Sequence, residues 1–440
     1  MLSRLLERAR RQPHIFYPAM LAAVLLSGNA EAATPGRLDS GNTAWVLAAS
    51  ALVLFMTLPG LALFYGGLVR ARNLLSVLMH CFVIGCIVSI LWVSFGYSLA
   101  LGRGNALIGS FARVFLAGAD GRIVANGLPE AAYALFQMTF AVITPALIVG
   151  AFVERVRFGF VLVFAAAWLL LVYLPVAHWV WGGGWAAAAG AVDFAGGIVV
   201  HTTAGVAALV AAILAGAREG FPHRLDPPHS PGLTMAGAGM LWVGWFGFNG
   251  GSALAADATA AGAILATQLA AAAAGLTWIV AERLRFGKST SVGIATGCVA
   301  GLATITPASG FVGAAGAVAI GIAGGVMCFF ATALVKHRLR IDDSLDVFAV
   351  HGVGGMAGSL LVAVFAAPAL GGGGYARGMD LARQLAAQAA AVAAAALWSA
   401  AATYVIVRLA DMLVGVRVSR EEESDGLDLA THGERAYDLT

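Results

Sequence analysis

A chain of 440 residues with 60% hydrophobic and only 11% charged side chains is not an ordinary soluble domain, in which about a quarter are charged. Its net charge of +3 is too small for a nucleic-acid surface. Its four cysteines (Cys81, Cys86, Cys298, Cys328) lie in apolar runs without CxxC or Cys/His spacing, so free thiols are expected, with neither disulfide nor metal. The mean hydropathy of +0.86 and the 56 glycines fit a polytopic membrane protein. Small residues such as Gly321-x-x-x-Gly325 and Gly354-x-x-x-Gly358 let helices approach closely in lipid.

In chain order, residues 1–32 read as a cleaved signal peptide. A basic start (Arg4, Arg8, Arg10, Arg11) precedes a short apolar core from Ile15 to Ser27 and an Ala30-Glu31-Ala32 cleavage site. An extra transmembrane helix is the other reading, against which stand Pro18 and a core short of the roughly 20 apolar residues a span needs. Apolar runs long enough to span follow near 43–69, 74–101, 131–153, 158–181, 195–216, 233–253, 257–281, 289–307, 311–335, 345–367 and 384–414. Connections after runs 1, 3, 5, 7 and 9 carry Arg70/Arg72, Arg155/Arg157, Arg218/Arg224, Arg283/Arg285/Lys288 and Lys336/Arg338/Arg340, whereas those after runs 4, 6 and 8 carry none. The positive-inside rule then puts the N-terminus outside and the C-terminus in the cytoplasm, with the long 102–130 connection as the exception.

The runs repeat. Ile143-Thr144-Pro145-Ala146 in run 3 returns as Ile305-Thr306-Pro307-Ala308 in run 8, Tyr65-Gly66-Gly67 returns as Asn249-Gly250-Gly251, and Val200-His201 returns as Val350-His351. Each echo comes five helices later, and five is odd, so the second copy must enter the membrane the other way round. The expected fold class is an all-α polytopic membrane protein of eleven transmembrane helices: a 5+5 inverted repeat (about 43–216 and 233–367) plus one extra helix (about 384–414). Inverted repeats place their site near the midplane, between the halves. His201, about 12 Å along a helix starting near Asp193, falls close to the middle of a hydrocarbon core about 30 Å thick, and His351 approaches the same level from the other side.

Each candidate has a plain and a sharp reading. Asp193 is either an N-cap at the mouth of run 5 or a cation ligand, and Asp346 is placed similarly before run 10. A single intramembrane His can merely join helices, but a symmetric pair points to a pathway. Phe136 and Phe140 share a helical face, and Trp181, in Trp181-Gly182-Gly183-Gly184-Trp185, is either an interfacial anchor or a cation–π surface at a pore mouth.

Asp193-Phe194-Ala195-Gly196-Gly197-x-Val199-Val200-His201 resembles the signature of the Amt/Rh ammonium transporter family, Amt branch. Further matches run from about residue 43 to the C-terminus: Gly67-Leu68-Val69-Arg70-x-x-Asn73-x-Leu75-Ser76, Phe136-Gln137-x-x-Phe140, Gly244-Trp245-x-Gly247-Phe248-Asn249-x-Gly251-Ser252 and Asp346-Val347-Phe348-x-Val350-His351. Gly250, Met138 and Thr139 depart from what the resemblance leads one to expect. The resemblance implies His201 and His351 as a twin-His pore, and Phe140 and Phe248 as a stacked outer gate. It further implies Trp181, Ser252 and Phe140 as the site that recruits ammonium, Asp193 as structural support, and Ser76 and Thr306 toward the inner path. It implies a homotrimer without cofactor, transporting ammonium or ammonia (methylammonium as analogue) across the inner (plasma) membrane, and no enzymatic activity. By composition the segment 416–440 is a solvated acidic end. Its Gly426-Leu427-Asp428-Leu429 and His432-Gly433-Glu434 instead resemble a cytoplasmic regulatory tail read by a PII-type signalling protein. Two other readings remain at this point: a redox enzyme with both histidines on haem, testable by a Soret band, and an ammonium sensor, for which the sequence up to Thr440 carries no kinase or cyclase pattern.

Overall fold

A computed structural model describes residues 37–223 and 226–437, so the signal peptide expected over 1–32 lies outside the described residues. Within them the apolar runs form α1 Ser40–Leu68, α2 Ala71–Leu101, α3 Glu130–Val149, α4 Phe158–Ala188 and α5 Gly197–Ala215. After these come α6 Pro231–Trp245, continued by a π-turn at Phe246–Gly250, then α7 Ala258–Phe286, α8 Ser291–Ile305, α9 Ala314–Arg338, α10 Phe348–Phe365 and α11 Leu381–Val414. Among the described residues nine of these are long and apolar enough to cross a membrane by themselves. α6 with its π-turn is not among the nine. α8 stops after 15 residues and hands over to irregular backbone at 306–313, which is tolerated at that depth because it is buried in protein: Pro307 O there accepts the Phe194 N–H (3.1 Å).

The repeat is visible in local geometry. Thr144 and Thr306 each turn their hydroxyl back to the carbonyl one turn earlier, Phe140 O (2.6 Å) and Leu302 O (2.7 Å). α1 and α6 both carry a π-turn, Met56–Leu61 and Phe246–Gly250, and α5 and α10 both open with one, Gly197–Thr202 and Phe348–Gly352. π-turns inside helices concentrate at functional positions, and here each of the last two carries a histidine. α5 and α10 cross with almost no side chain between them. A Cβ on Gly355 would lie 2.6 Å from His201 Cβ, and one on Gly205 would run into the backbone of Gly352.

One end of the bundle is rich in arginine. There Glu154 accepts from Arg70 N (2.8 Å) and Nε (3.0 Å), Asn73 Nδ2 (2.9 Å) and Arg218 Nη1 (2.8 Å), while Arg218 also grips both oxygens of Asp342 (2.9 Å each). One carboxylate and one guanidinium thus tie together the α1/α2, α3/α4, α5/α6 and α9/α10 connections. Burial would raise the Glu154 carboxyl, but Arg218 and Arg70 hold it down at about 2. Burial likewise opposes ionisation of Asp342, and the hydrogen bonds and charge of Arg218 bring it below the usual carboxylate range.

The tail packs on this end as α12 Arg420–Asp425 and α13 Leu427–His432, so the solvated acidic end suggested by composition is not what forms. Glu423 meets Arg417 (2.7 Å) and the Glu219 N–H (2.9 Å), Leu427 N donates to Asn73 Oδ1 (2.8 Å), and Asp428 accepts from Leu75 N (3.1 Å) and Ser76 N (2.8 Å). Asp428 therefore caps α2 from a distance, taking up N–H groups that a helix start leaves unpaired.

Candidate functional site

The site is a column of rings running inward from the end opposite the arginines. Trp181 sits where α4 breaks, in the turn through Gly182 and Gly183. Its indole N–H donates to Asp193 O (2.9 Å), and its ring meets Phe140 edge-on at 5.9 Å between centroids. Phe140 of α3 stacks on Phe248 of α6 at 4.2 Å and 28°, and both rings are fully buried. Phe248 lies 6.1 Å from the His201 ring. Ser252 lies one turn beyond Phe248, toward the same end as Trp181, and its hydroxyl donates to Phe248 O (2.8 Å).

Below the phenylalanines His201 and His351 face each other, Nδ1 to Nδ1 at 3.2 Å with rings 19° from parallel. Two nitrogens that close can share only one proton, so one Nδ1 donates and the other accepts. The donor ring, neutral, then presents a bare Nε2, and its partner presents Nε2–H. The pair as a whole turns one acceptor and one donor away from itself. His201 Nε2 is buried without a partner. Both rings line a cavity shared with Val200, Leu147, Trp245 and Phe248, in which the centre of a water-sized molecule can range over about 10 Å³, near the minimum that holds one water.

Asp193 spends both carboxylate oxygens on the start of α5. Oδ1 accepts from Gly196 N (2.8 Å) and Gly197 N (2.7 Å), and Oδ2 from Ile198 N (2.7 Å) and Val199 N (3.1 Å). Gly196 makes the turn possible, since it sits at φ 116°, where an added Cβ would also strike Val200. On α10 the corresponding cap is Asp343, on Val347 N (3.1 Å) and Phe348 N (2.7 Å), and not Asp346, which pairs with Lys336 (2.7 Å). The signal was available, because Asp193 precedes His201 and Asp343 precedes His351 by the same number of residues.

Of the expected residues only Phe248, His201 and His351 line the cavity; Trp181, Phe140 and Ser252 lie above it, and the two expected toward the inner path do not reach its wall. Ser76 lies in the first turn of α2 beneath Asp428. Thr306 accepts the Trp245 indole N–H (2.8 Å), and Trp245 in turn stacks on His201 at 5.5 Å and 19°, so Thr306 reaches the pair only through that ring. In the sequence Trp245 enters only as part of the Gly244-Trp245-x-Gly247-Phe248 motif. Its place four residues after Leu241 and three before Phe248, both of which line the cavity, is the periodicity that would have marked it.

Close-packed apolar helices around a small buried lumen, with ring systems above and a facing imidazole pair within, define a polytopic membrane protein of the transporter class. The model of the Ammonium Transporter Family matches residues 44–437, and the chain belongs to that family. It is 48% identical over 410 residues to the ammonium transporter of Aquifex aeolicus, covering 92% of this chain and 96% of that one. It is 42% identical over 402 residues to ammonium transporter Amt1 of Archaeoglobus fulgidus, covering 91% and 100%. Among solved structures, Candida albicans Mep2 is 35% identical at a TM-score of 0.81 over 88% of each chain. A structure described as "Sensor Amt Protein" is 32% identical at 0.84 over 89% of this chain and 98% of that one.

Proposed function

We propose that this protein carries ammonium across the cell membrane by recruiting the cation at Trp181, Phe140 and Ser252, releasing its proton, and passing ammonia between Phe140 and Phe248 and along His201 and His351. The observation that carries the reading is the continuity of the column: a ring surface open to a cation, a stacked pair of phenylalanines, then a neutral imidazole pair in a cavity of one-water size. A cation at the mouth gains from the indole face, about 0.5 to 2 kcal/mol. It gains nothing comparable between two buried phenylalanines, where the effective cost of desolvating an ion is several kcal/mol. Ammonia pays no such charge penalty. Beyond the rings it can donate to the bare Nε2 and accept from the other Nε2–H, which replaces the water it has lost. The haem reading fits poorly, since the two nitrogens that approach each other leave no room for an iron between them.

On the same reading the arginine-rich end faces the cytoplasm, in line with the positive-inside rule. The chain assembles as a homotrimer, and the tail surface on α12 and α13 is what a PII-type regulator would engage. The test is uptake of labelled methylammonium by a transporter-deficient strain expressing this chain. Uptake that ammonium competes away, and that His201→Ala with His351→Ala abolishes, is expected. No uptake above the empty strain, with the protein present in the membrane, would overturn the reading.

A further inference from the structure

The segment 189–196 between α4 and α5 is irregular backbone that becomes largely buried from Ala191 onward, where peptide groups need partners. Several of those partners come from α11, the helix outside the repeat. Gln388, fully buried, acts on Val192 as a neighbouring strand would. Its Oε1 accepts the Val192 N–H (2.7 Å) and its Nε2 donates to Val192 O (2.8 Å). The same Nε2 donates to Ser359 O of α10 (2.7 Å). One turn earlier Gln384 donates to Gly190 O (2.9 Å) and to Gln388 Oε1 (3.3 Å). Val192 is joined directly to Asp193, whose carboxylate holds the start of the His201 helix and whose carbonyl holds the Trp181 indole.

We infer that Gln388, seconded by Gln384, is the positioning residue of the recruitment site: its carboxamide sets the Val192–Asp193 backbone, and through it the orientation of the Trp181 ring, in register with the α10 helix that carries His351. The chemistry requires a carboxamide. Two acceptors, Val192 O and Ser359 O, face the same nitrogen, and a donor N–H faces the oxygen, so leucine satisfies none of them and a glutamate would set oxygen against two carbonyls. Asparagine presents the same groups one methylene short. The inference rests on the transport reading above.

The test is the concentration dependence of methylammonium uptake into proteoliposomes holding equal amounts of folded protein. Gln388→Leu is expected to raise the half-saturation concentration by about two- to thirtyfold, the range a cation–π contact covers, with maximal flux per transporter changed less. Trp181→Leu is expected to do the same, and the double variant to be no worse in half-saturation than the single ones. Thr403→Val removes a different buried hydrogen bond of α11, that to Trp168 (3.1 Å), and is expected to leave half-saturation unchanged. Gln388→Leu with parental half-saturation, or effects of Gln388→Leu and Trp181→Leu that multiply in the double variant, would overturn the inference. So would a Thr403→Val variant that shifts half-saturation as Gln388→Leu does, since the helix as a whole would then be responsible. If Gln388→Leu fails to fold, Gln384→Leu carries the same expectation at smaller size. A parental protein that takes up no methylammonium would instead count against the transport reading itself.

Discussion

Gly355→Ala puts the imidazole pair to the test from behind. The added Cβ would lie 2.6 Å from His201 Cβ, 2.7 Å from Gly197 O and 3.0 Å from Thr202 N, so neither a side-chain rotation nor a local shift relieves it. Ordinary contact begins near 3.4 Å, so α5 and α10 must part by about 0.8 Å at this point. Carried to the rings, that lengthens the 3.2 Å Nδ1···Nδ1 contact to about 4 Å, outside hydrogen-bonding range. Overpacking of this kind costs about 1–3 kcal/mol in stability. The lost hydrogen bond, worth about 0.5–1.5 kcal/mol, corresponds to about a two- to twelvefold slower passage if the pair must be aligned for ammonia to cross. Methylammonium flux in proteoliposomes, corrected for folded protein, should fall by that factor while half-saturation, set at Trp181, stays put. As a comparison, Gly239→Ala adds a Cβ that meets nothing within 4 Å in this chain and should leave both unchanged. A Gly355→Ala protein with parental flux and parental thermal stability would refute the claim that the alignment of the two rings matters.

Glu154 makes stability depend on acidity. Its carboxyl titrates at about 2 in the fold against an ordinary 4.5, so its stabilisation, about 3 kcal/mol, is fully present above pH 4.5 and drains away as pH falls toward 2; thermal melts of purified protein should show that loss, and Glu154→Gln should flatten it. His351→Glu should keep some ammonium flux and admit potassium, because a carboxylate that stays ionised compensates a desolvated cation where an imidazole pair does not; potassium currents equal to the parent's would count against it. Asp428→Ala removes the cap on Leu75 and Ser76, about 0.5–2 kcal/mol, so limited proteolysis should clip the tail several times faster while the membrane part resists; equal clipping would mean the tail is held by something else.

What was legible in the sequence is what lipid forces. Spans show because each backbone group inside hydrocarbon must find its partner within a helix, and the basic residues of alternate loops label the ends. His201 and His351 stand out because, apart from one aspartate near the start of each run (Asp193, Asp346), nothing else ionisable lies in their runs. What could not be read are partnerships across long stretches of chain. The carboxylate that caps α2 is Asp428 and the amide that holds Val192 is Gln388, and neither is near its partner in sequence. The tail misled by composition for the same reason: Glu423, Leu427 and Asp428 look like solvated residues until Arg417, Asn73 and the start of α2 are brought against them. Asp346 stands nearest the start of run 10 in sequence, but the Lys336 ammonium takes its carboxylate and Asp343 supplies the cap.

The repeat by itself would make a symmetric object, with a capped π-turn and a histidine entering from either side. Two additions break the symmetry, and each is attached to one end. α11 reaches the far end through Gln384 and Gln388 and touches α5 again just past the histidine, where the Ser399 hydroxyl donates to Thr203 O (2.7 Å); the three side chains are buried, while the Gly190 and Val192 backbone they hold is half-buried. The tail reaches the other end, and its contacts with Arg70, Asn73, Ser76 and Glu219 are to loops and a helix start; those with Asn73 and Ser76 are buried and those with Arg70 and Glu219 half-buried. The α11 bonds come from a helix of 34 residues packed in the bundle, whereas the tail is held through two helices of 6 residues each, and short terminal elements open locally at lower cost. On the proposed reading, recruitment is attached to α11, and control exerted through α12 and α13 acts on the loops of Arg70 and Glu219, at the end away from the bond that holds Trp181.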